Sequence, residues 1–177
     1  MNPPWRLMVV WKLSAVVALC GQTPSTLGVI VEGKLTVGLP DRSPQVLNRA
    51  EIAKLPHRTV KVKVAGIGAS TYSGVPLKNV LERAGAVFDR QRQDANLGSI
   101  VVVESTDGPS VVFAAAEFDT VLTAKRILLA DSKDGKSLAA PEGPFRIIVP
   151  EEKERSRWVR HVWAIYITQI ASPGTRQ

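Results

Sequence analysis

The sequence predicts an α+β domain of mixed, mainly antiparallel sheets with short helices. Three observations carry that prediction. Apolar runs of four to eight residues rich in Val and Ile recur along the chain, turn-forming Gly, Pro, Asn and Asp separate them, and only one stretch holds a strong helical period. Strands and helices do not alternate regularly, and no internal repeat is visible, so a doubly wound parallel sheet and a solenoid are both disfavoured.

The elements follow in order. Leu27 to Val37 has β-branched runs on either side of Glu32-Gly33-Lys34 and predicts a hairpin. Asn48-Arg49-Ala50-Glu51 has the spacing of a capping box, opening a short helix that must stop near Pro56. From Thr59 to Val64 the alternation sets Val60, Val62 and Val64 on one face and Lys61 and Lys63 on the other, a half-buried strand. Pro76 stands in the first turn of a helix whose Leu77, Val80, Leu81 and Ala84 share a face, with Gly85 as its left-handed cap. Ile100 to Glu104 and Val111 to Ala114 flank Thr106-Asp107-Gly108-Pro109 and pair as a hairpin. Ile127 to Ala130, Phe145 to Val149 and Val162 to Thr168 complete the strands.

At 177 residues and 45% hydrophobic content the chain makes one domain with a sizeable core. A single cysteine, Cys20, closes no internal disulfide and excludes zinc and iron–sulfur patterns built on cysteine pairs. His57 and His161 are the only histidines. His57 reads as a boundary residue at a strand start, and His161 as an exposed strand residue. Residues 1–20 open with Arg6 and Lys12, continue through the apolar Leu13 to Cys20, and contain no acid, the layout of a secretory signal peptide. The domain is therefore expected at 21–177, periplasmic or secreted, with no membrane span in the mature chain. Acylation at Cys20 is the less favoured alternative, because Leu19 is large for the position before a lipoprotein cysteine. Removing residues 1–20 lowers Lys plus Arg from 23 to 21 and leaves Asp plus Glu at 16, so the net charge falls from +7 to +5. Those charges are scattered, which argues against nucleic-acid binding. Gly66-Ile67-Gly68-Ala69 lacks a third glycine, and neither a phosphate loop nor a GxSxG elbow is present, so the dinucleotide, nucleotide and serine-hydrolase templates fail.

An ordered series of phrases remains. Tyr72-Ser73-Gly74-Val75-Pro76-Leu77 is followed by Thr106-Asp107-Gly108, Glu117-Phe118-Asp119, Leu128-Leu129-Ala130-Asp131, Asp134-Gly135-Lys136, Gly143-Pro144-Phe145-Arg146, Val149-Pro150 and Arg157-Trp158-Val159. Taken together they resemble the oxidoreductase molybdopterin-binding domain, the sulfite-oxidase type of fold, over about residues 34–168. Within the series, Gly74 to Leu77 is expected to turn the chain from a loop into the helix. The resemblance implies that the stretch leading to Trp158 holds the pterin phosphate, which makes Arg155, Ser156, Arg157 and Trp158 the candidate cofactor-binding residues. Arginine donors match phosphate oxygens in bidentate fashion. A solvated basic turn paired with Glu151, Glu152 and Glu154 is the competing reading.

The sequence departs from the family at the metal ligand. A cysteine at the end of the strand before the Gly-Val-Pro-Leu phrase binds molybdenum in the family, and here that region is Val62-Lys63-Val64-Ala65-Gly66. Valine ligates no metal, so no metal-ligand set is evident and no catalytic residue is assigned. Two functions of different class follow: an exported oxidoreductase, or a subunit of one, that holds molybdopterin and works with a redox or membrane partner protein, and a non-enzymatic module binding a small anionic ligand or a protein.

Overall fold

The structure is a computed structural model that describes residues 33–64 and 68–170. Ten strands form two five-stranded sheets. In the first, β1 (Lys34–Leu39), β2 (Arg42–Asn48), β5 (Ser99–Ser105), β6 (Val111–Ala114) and β10 (Val162–Gln169) lie in the order β2-β1-β10-β5-β6. Only β1 and β10 run parallel; every other pair is antiparallel. In the second, β3 (Arg58–Val64), β4 (Gly68–Pro76), β7 (Leu128–Lys133) and β8 (Lys136–Ser137) are consecutive neighbours, and β9 (Arg146–Ile148) pairs with β7. The predicted class holds, and so do the hairpin across Thr106 to Pro109 and the strands at 58–64, 128–133 and 162–169.

Both sheets contribute to one core. Leu35, Val101, Val103 and Ile165 from the first meet Val75, Leu129 and Ile147 from the second in a single cluster, all of them essentially solvent-free. Helix α2 (Leu77–Arg83) adds Leu77, Val80 and Leu81, the residues its period selects. Pro76 stands one position ahead of the first helical residue, and Gly85 follows with a φ of +101°, which glycine adopts without strain. Helix α1 (Arg49–Ala53) begins at the expected capping box: Glu51 N–H donates to the Asn48 side chain at 3.0 Å, and Asn48 N–H donates to the Glu51 carboxylate at 2.8 Å. A short α3 (Gln93–Leu97) precedes β5.

Three expectations are corrected. The half Leu27 to Glu32 of the first predicted hairpin lies outside the described residues, while the other half, β1, makes its hairpin with β2 across Pro40-Asp41. The approach to Pro76 is strand β4 rather than a loop, paired on one side with β3 and on the other with β7. Ser70, Tyr72 and Gly74 turn inward there and smaller polar residues alternate outward, so a strand forms without the β-branched run that usually marks one. His161 is not an exposed strand residue. It precedes β10 with a φ of +51°, half-buried, and its Nε2 donates to the Pro141 carbonyl at 2.8 Å, which fixes the ring.

Candidate functional site

Trp158 anchors the segment that the sequence singles out. The chain turns at Arg155, whose carbonyl accepts from Trp158 N–H at 2.9 Å, and the indole enters the core with its Nε1–H donating to the Val149 carbonyl at 3.1 Å. There its ring meets the buried Tyr72 edge-on, with centroids 6.1 Å apart and planes at 84°. An edge-to-face pair of this kind is favourable beyond the area it buries.

Cations gather on this pair. The Arg155 guanidinium lies 5.4 Å from the Trp158 ring; Lys133 Nζ and the Arg146 guanidinium lie 5.6 and 5.9 Å from the Tyr72 ring. Sheet register explains the placement, since Tyr72 in β4 faces Lys133 in β7, and Arg146 opens β9 on the far side of β7. Glu142 bridges the two, 3.1 Å from Lys133 Nζ and 3.1 Å from Arg146 Nη1. The Lys133 pKa is raised, first by its hydrogen bond to Glu142. Burial pushes the Glu142 carboxyl up, but the hydrogen bond from Lys133 and the charge of Arg146 outweigh it, so its pKa is lowered. Lys133 and Glu142 therefore face each other as a charged pair at neutral pH. The Arg146 Nε–H is buried without an acceptor, a state that costs free energy unless something supplies one. Ser156 is exposed beside Arg155.

Arg157 belongs to a different assembly. Its guanidinium donates to both carboxylate oxygens of Glu117 at 3.2 and 3.4 Å, to Glu152 and to the Val112 carbonyl at 3.3 Å, and it lies 4.4 Å over the Phe113 ring. Lys125 closes the network on Glu117 at 2.6 Å. Burial lowers the Arg157 pKa, but hydrogen bonds to Glu152 and Glu117 raise it further than burial depresses it. The four predicted cofactor contacts thus divide: Trp158 packs on Tyr72 with Arg155 over its ring and Ser156 exposed next in sequence, whereas the donors of Arg157 are engaged by protein carboxylates. Of the competing ion pairs, Glu152 holds Arg157 and Glu151 holds Arg126. Lys133 and Arg146 were not assigned to the site by sequence, although Lys133 adjoins the phrase Asp134-Gly135-Lys136 and Arg146 ends the phrase Gly143-Pro144-Phe145-Arg146.

The chemistry of the donor set fits part of molybdopterin. Three cations against one carboxylate, an unused arginine donor and an aromatic pair suit a ring-bearing anion such as a pterin phosphate. The protein ligand to the metal does not fit. No cluster of three His, Cys, Asp or Glu side chains that could hold a metal ion occurs among the described residues, and residues 62–66 contain no thiol. A basic cavity of about 640 Å³ is lined by Lys34, Arg49 and His161.

No curated protein matches the sequence. Among solved structures, the sulfane dehydrogenase SoxCD from Paracoccus pantotrophus is similar, at 19% identity and a TM-score of 0.59 over 78% of this chain. This chain covers 39% of that one, so the likeness speaks for the fold. The sequence itself matches the oxidoreductase molybdopterin binding domain over residues 35–176, which is most of its length. With the two-sheet architecture and the ordered phrases in place, the chain belongs to the oxidoreductase molybdopterin-binding domain family.

Proposed function

We propose that the chain binds a phosphate-bearing pterin of the molybdopterin class at the Tyr72–Trp158 pair, and that none of its own thiolates ligates a metal there. The observation that carries this reading is the buried, acceptor-free Nε–H of Arg146, whose guanidinium lies 5.9 Å from the Tyr72 ring and shares Glu142 with Lys133. An anionic oxygen supplies the acceptor that the protein does not. Arg146 and Lys133, held by Glu142, serve as fixed anion partners. Arg155 and the Ser156 hydroxyl add donors at the open side, and Trp158 holds their turn in register with β4. When bound, the pterin dithiolene and a molybdenum it carries supply two-electron redox chemistry. The residues of this chain bind and orient the group and lend it positive potential. Whether electrons then pass to a redox or membrane partner protein is a property of the assembly.

The same reading includes export. Support comes from the acid-free, basic-then-apolar layout of residues 1–20. The described residues contain no helix long and apolar enough to cross a membrane. Recovery of a periplasmic form lacking these residues, read from its intact mass, is the expected result; an intact Met1 in exported protein contradicts it.

The site is tested by pterin retention after expression in a molybdate-supplied, cofactor-competent host. Arg146→Gln is expected to lower retained pterin about tenfold, as the loss of a charge-assisted hydrogen bond does. Lys34→Gln, at the cavity lined by Arg49 and His161, is expected to leave it unchanged. Equal retention in wild type and Arg146→Gln overturns the assignment.

A further inference from the structure

The outer edge of β3 combines three features. Among the described residues β3 pairs only with β4, so its other edge carries unpaired backbone donors and acceptors. Arg58, Lys61 and Lys63 are exposed along it, and among the described residues none has a carboxylate within 4.0 Å. At its start a cavity of about 350 Å³ opens between Arg58 to Val60, α2 and the 117–128 segment. Its floor is apolar, built from Phe118, Ile127 and Leu128, and its rim carries Lys125 and Arg126, paired with Glu117 and Glu151. The same segment leaves Val121 and Leu122 exposed, at 59% and 43%.

We infer that this edge and cavity dock an extended acidic segment of a partner protein, which adds a strand to β3 and seats an apolar side chain over Phe118, Ile127 and Leu128. A free edge recognises backbone, which a small anion does not offer. Cations along the edge select the charge of the incoming strand. They also disfavour the alternatives within this chain. A second copy of β3 would set lysines against lysines. Residues 1–32 contain Arg6 and Lys12 against the single acid Glu32, so that segment carries net positive charge. The exposed Val121 and Leu122 extend the apolar surface beyond what one side chain covers, as a protein partner requires.

The test titrates the full chain with a fluorescein-labelled synthetic peptide of alternating Glu and Leu, read by anisotropy, with hydrogen exchange on the saturated complex. Binding that weakens with added salt, and slowed exchange in residues 58–64, are expected. Lys61→Glu combined with Lys63→Glu should weaken the peptide at least about tenfold by charge reversal, with an unchanged melting temperature because both side chains are exposed. Leu122→Ser should weaken the same peptide but not one of alternating Glu and Ser. No binding, unchanged affinity in the charge-reversed variant, or protection confined to other strands overturns the proposal. Equal affinity for the Glu–Ser peptide overturns the seated apolar side chain, and with it the inference as stated.

Discussion

Arg157 and Arg155 stand two positions apart and do different work. Arg157 ties together three parts of the chain: β6 through the Val112 carbonyl and the Phe113 ring, the turn at Glu117, and Glu152. Removing it leaves two half-buried carboxylates short of their partner. Arg157→Ala is therefore expected to cost about 2–4 kcal/mol in denaturant unfolding, the range for breaking a partly buried charge network. If Arg157 instead served a ligand, stability would be unchanged and only pterin retention would fall. His57 has a similar structural part. Its Nδ1 lies 2.8 Å from the Leu55 carbonyl and its Nε2 2.9 Å from Asp131, both acceptors, so the ring satisfies them only as imidazolium. Burial lowers its pKa, but hydrogen bonds to Asp131 and Leu55 raise it by more. Because the folded value lies above the unfolded one, the stabilisation is full below about pH 6.5 and fades as pH rises through the folded pKa. His57→Ala should cost more stability at about pH 5.5 than at about pH 8.5, as measured by urea midpoints; equal costs would deny the imidazolium. Sequence placed His57 at an element boundary, and the structure agrees. It did not show Asp131 as its partner, because the two lie 74 residues apart and only sheet pairing brings them together.

At the scale of elements, what was legible depended on whether local pattern or tertiary pairing makes the element. Helices α1 and α2 carry their own signals, a capping box and a 3.6 period, and both appear where those signals lie. Asn48→Ala removes the acceptor for Glu51 N–H and should cost about 1 kcal/mol. Strands β2 and β4 carry weak signals: Arg42 to Asn48 includes Pro44 and only one buried residue, Leu47, and Gly68 to Pro76 is mostly small. Each exists because neighbours with strong patterns lie alongside it. Gly74 shows how close one neighbour comes. A Cβ there would fall well inside contact distance of the Leu129 carbonyl and the Ala130 backbone, next to a register shift between β4 and β7. Gly74→Ala is expected to force those strands apart at a cost of about 2–4 kcal/mol, read as a lowered urea midpoint. A midpoint within experimental scatter of wild type would show that β7 gives way freely. The separation of these strands also sets Tyr72 against Lys133, so the substitution should lower pterin retention as well.

For the whole molecule, the ordered phrases identified the family, and the family match over residues 35–176 bears it out. The candidate site was legible only in part. Arg155, Ser156 and Trp158 came from one continuous stretch, whereas Lys133, Arg146 and Glu142 join them through β7 and β9, a convergence no local pattern encodes. The absence of a cysteine in residues 62–66 was plain in the sequence, and it is the ground for proposing that the pterin is held through its anion and ring, without a protein thiolate on a metal. The most direct measurement is pterin fluorescence together with metal analysis by mass spectrometry on the full chain, purified from a molybdate-supplied, cofactor-competent host beside Arg146→Gln. The account predicts near-stoichiometric pterin in wild type and a loss of pterin, with any molybdenum it carries, in the variant. Wild type free of pterin, or molybdenum retained in the variant after its pterin is gone, would contradict it.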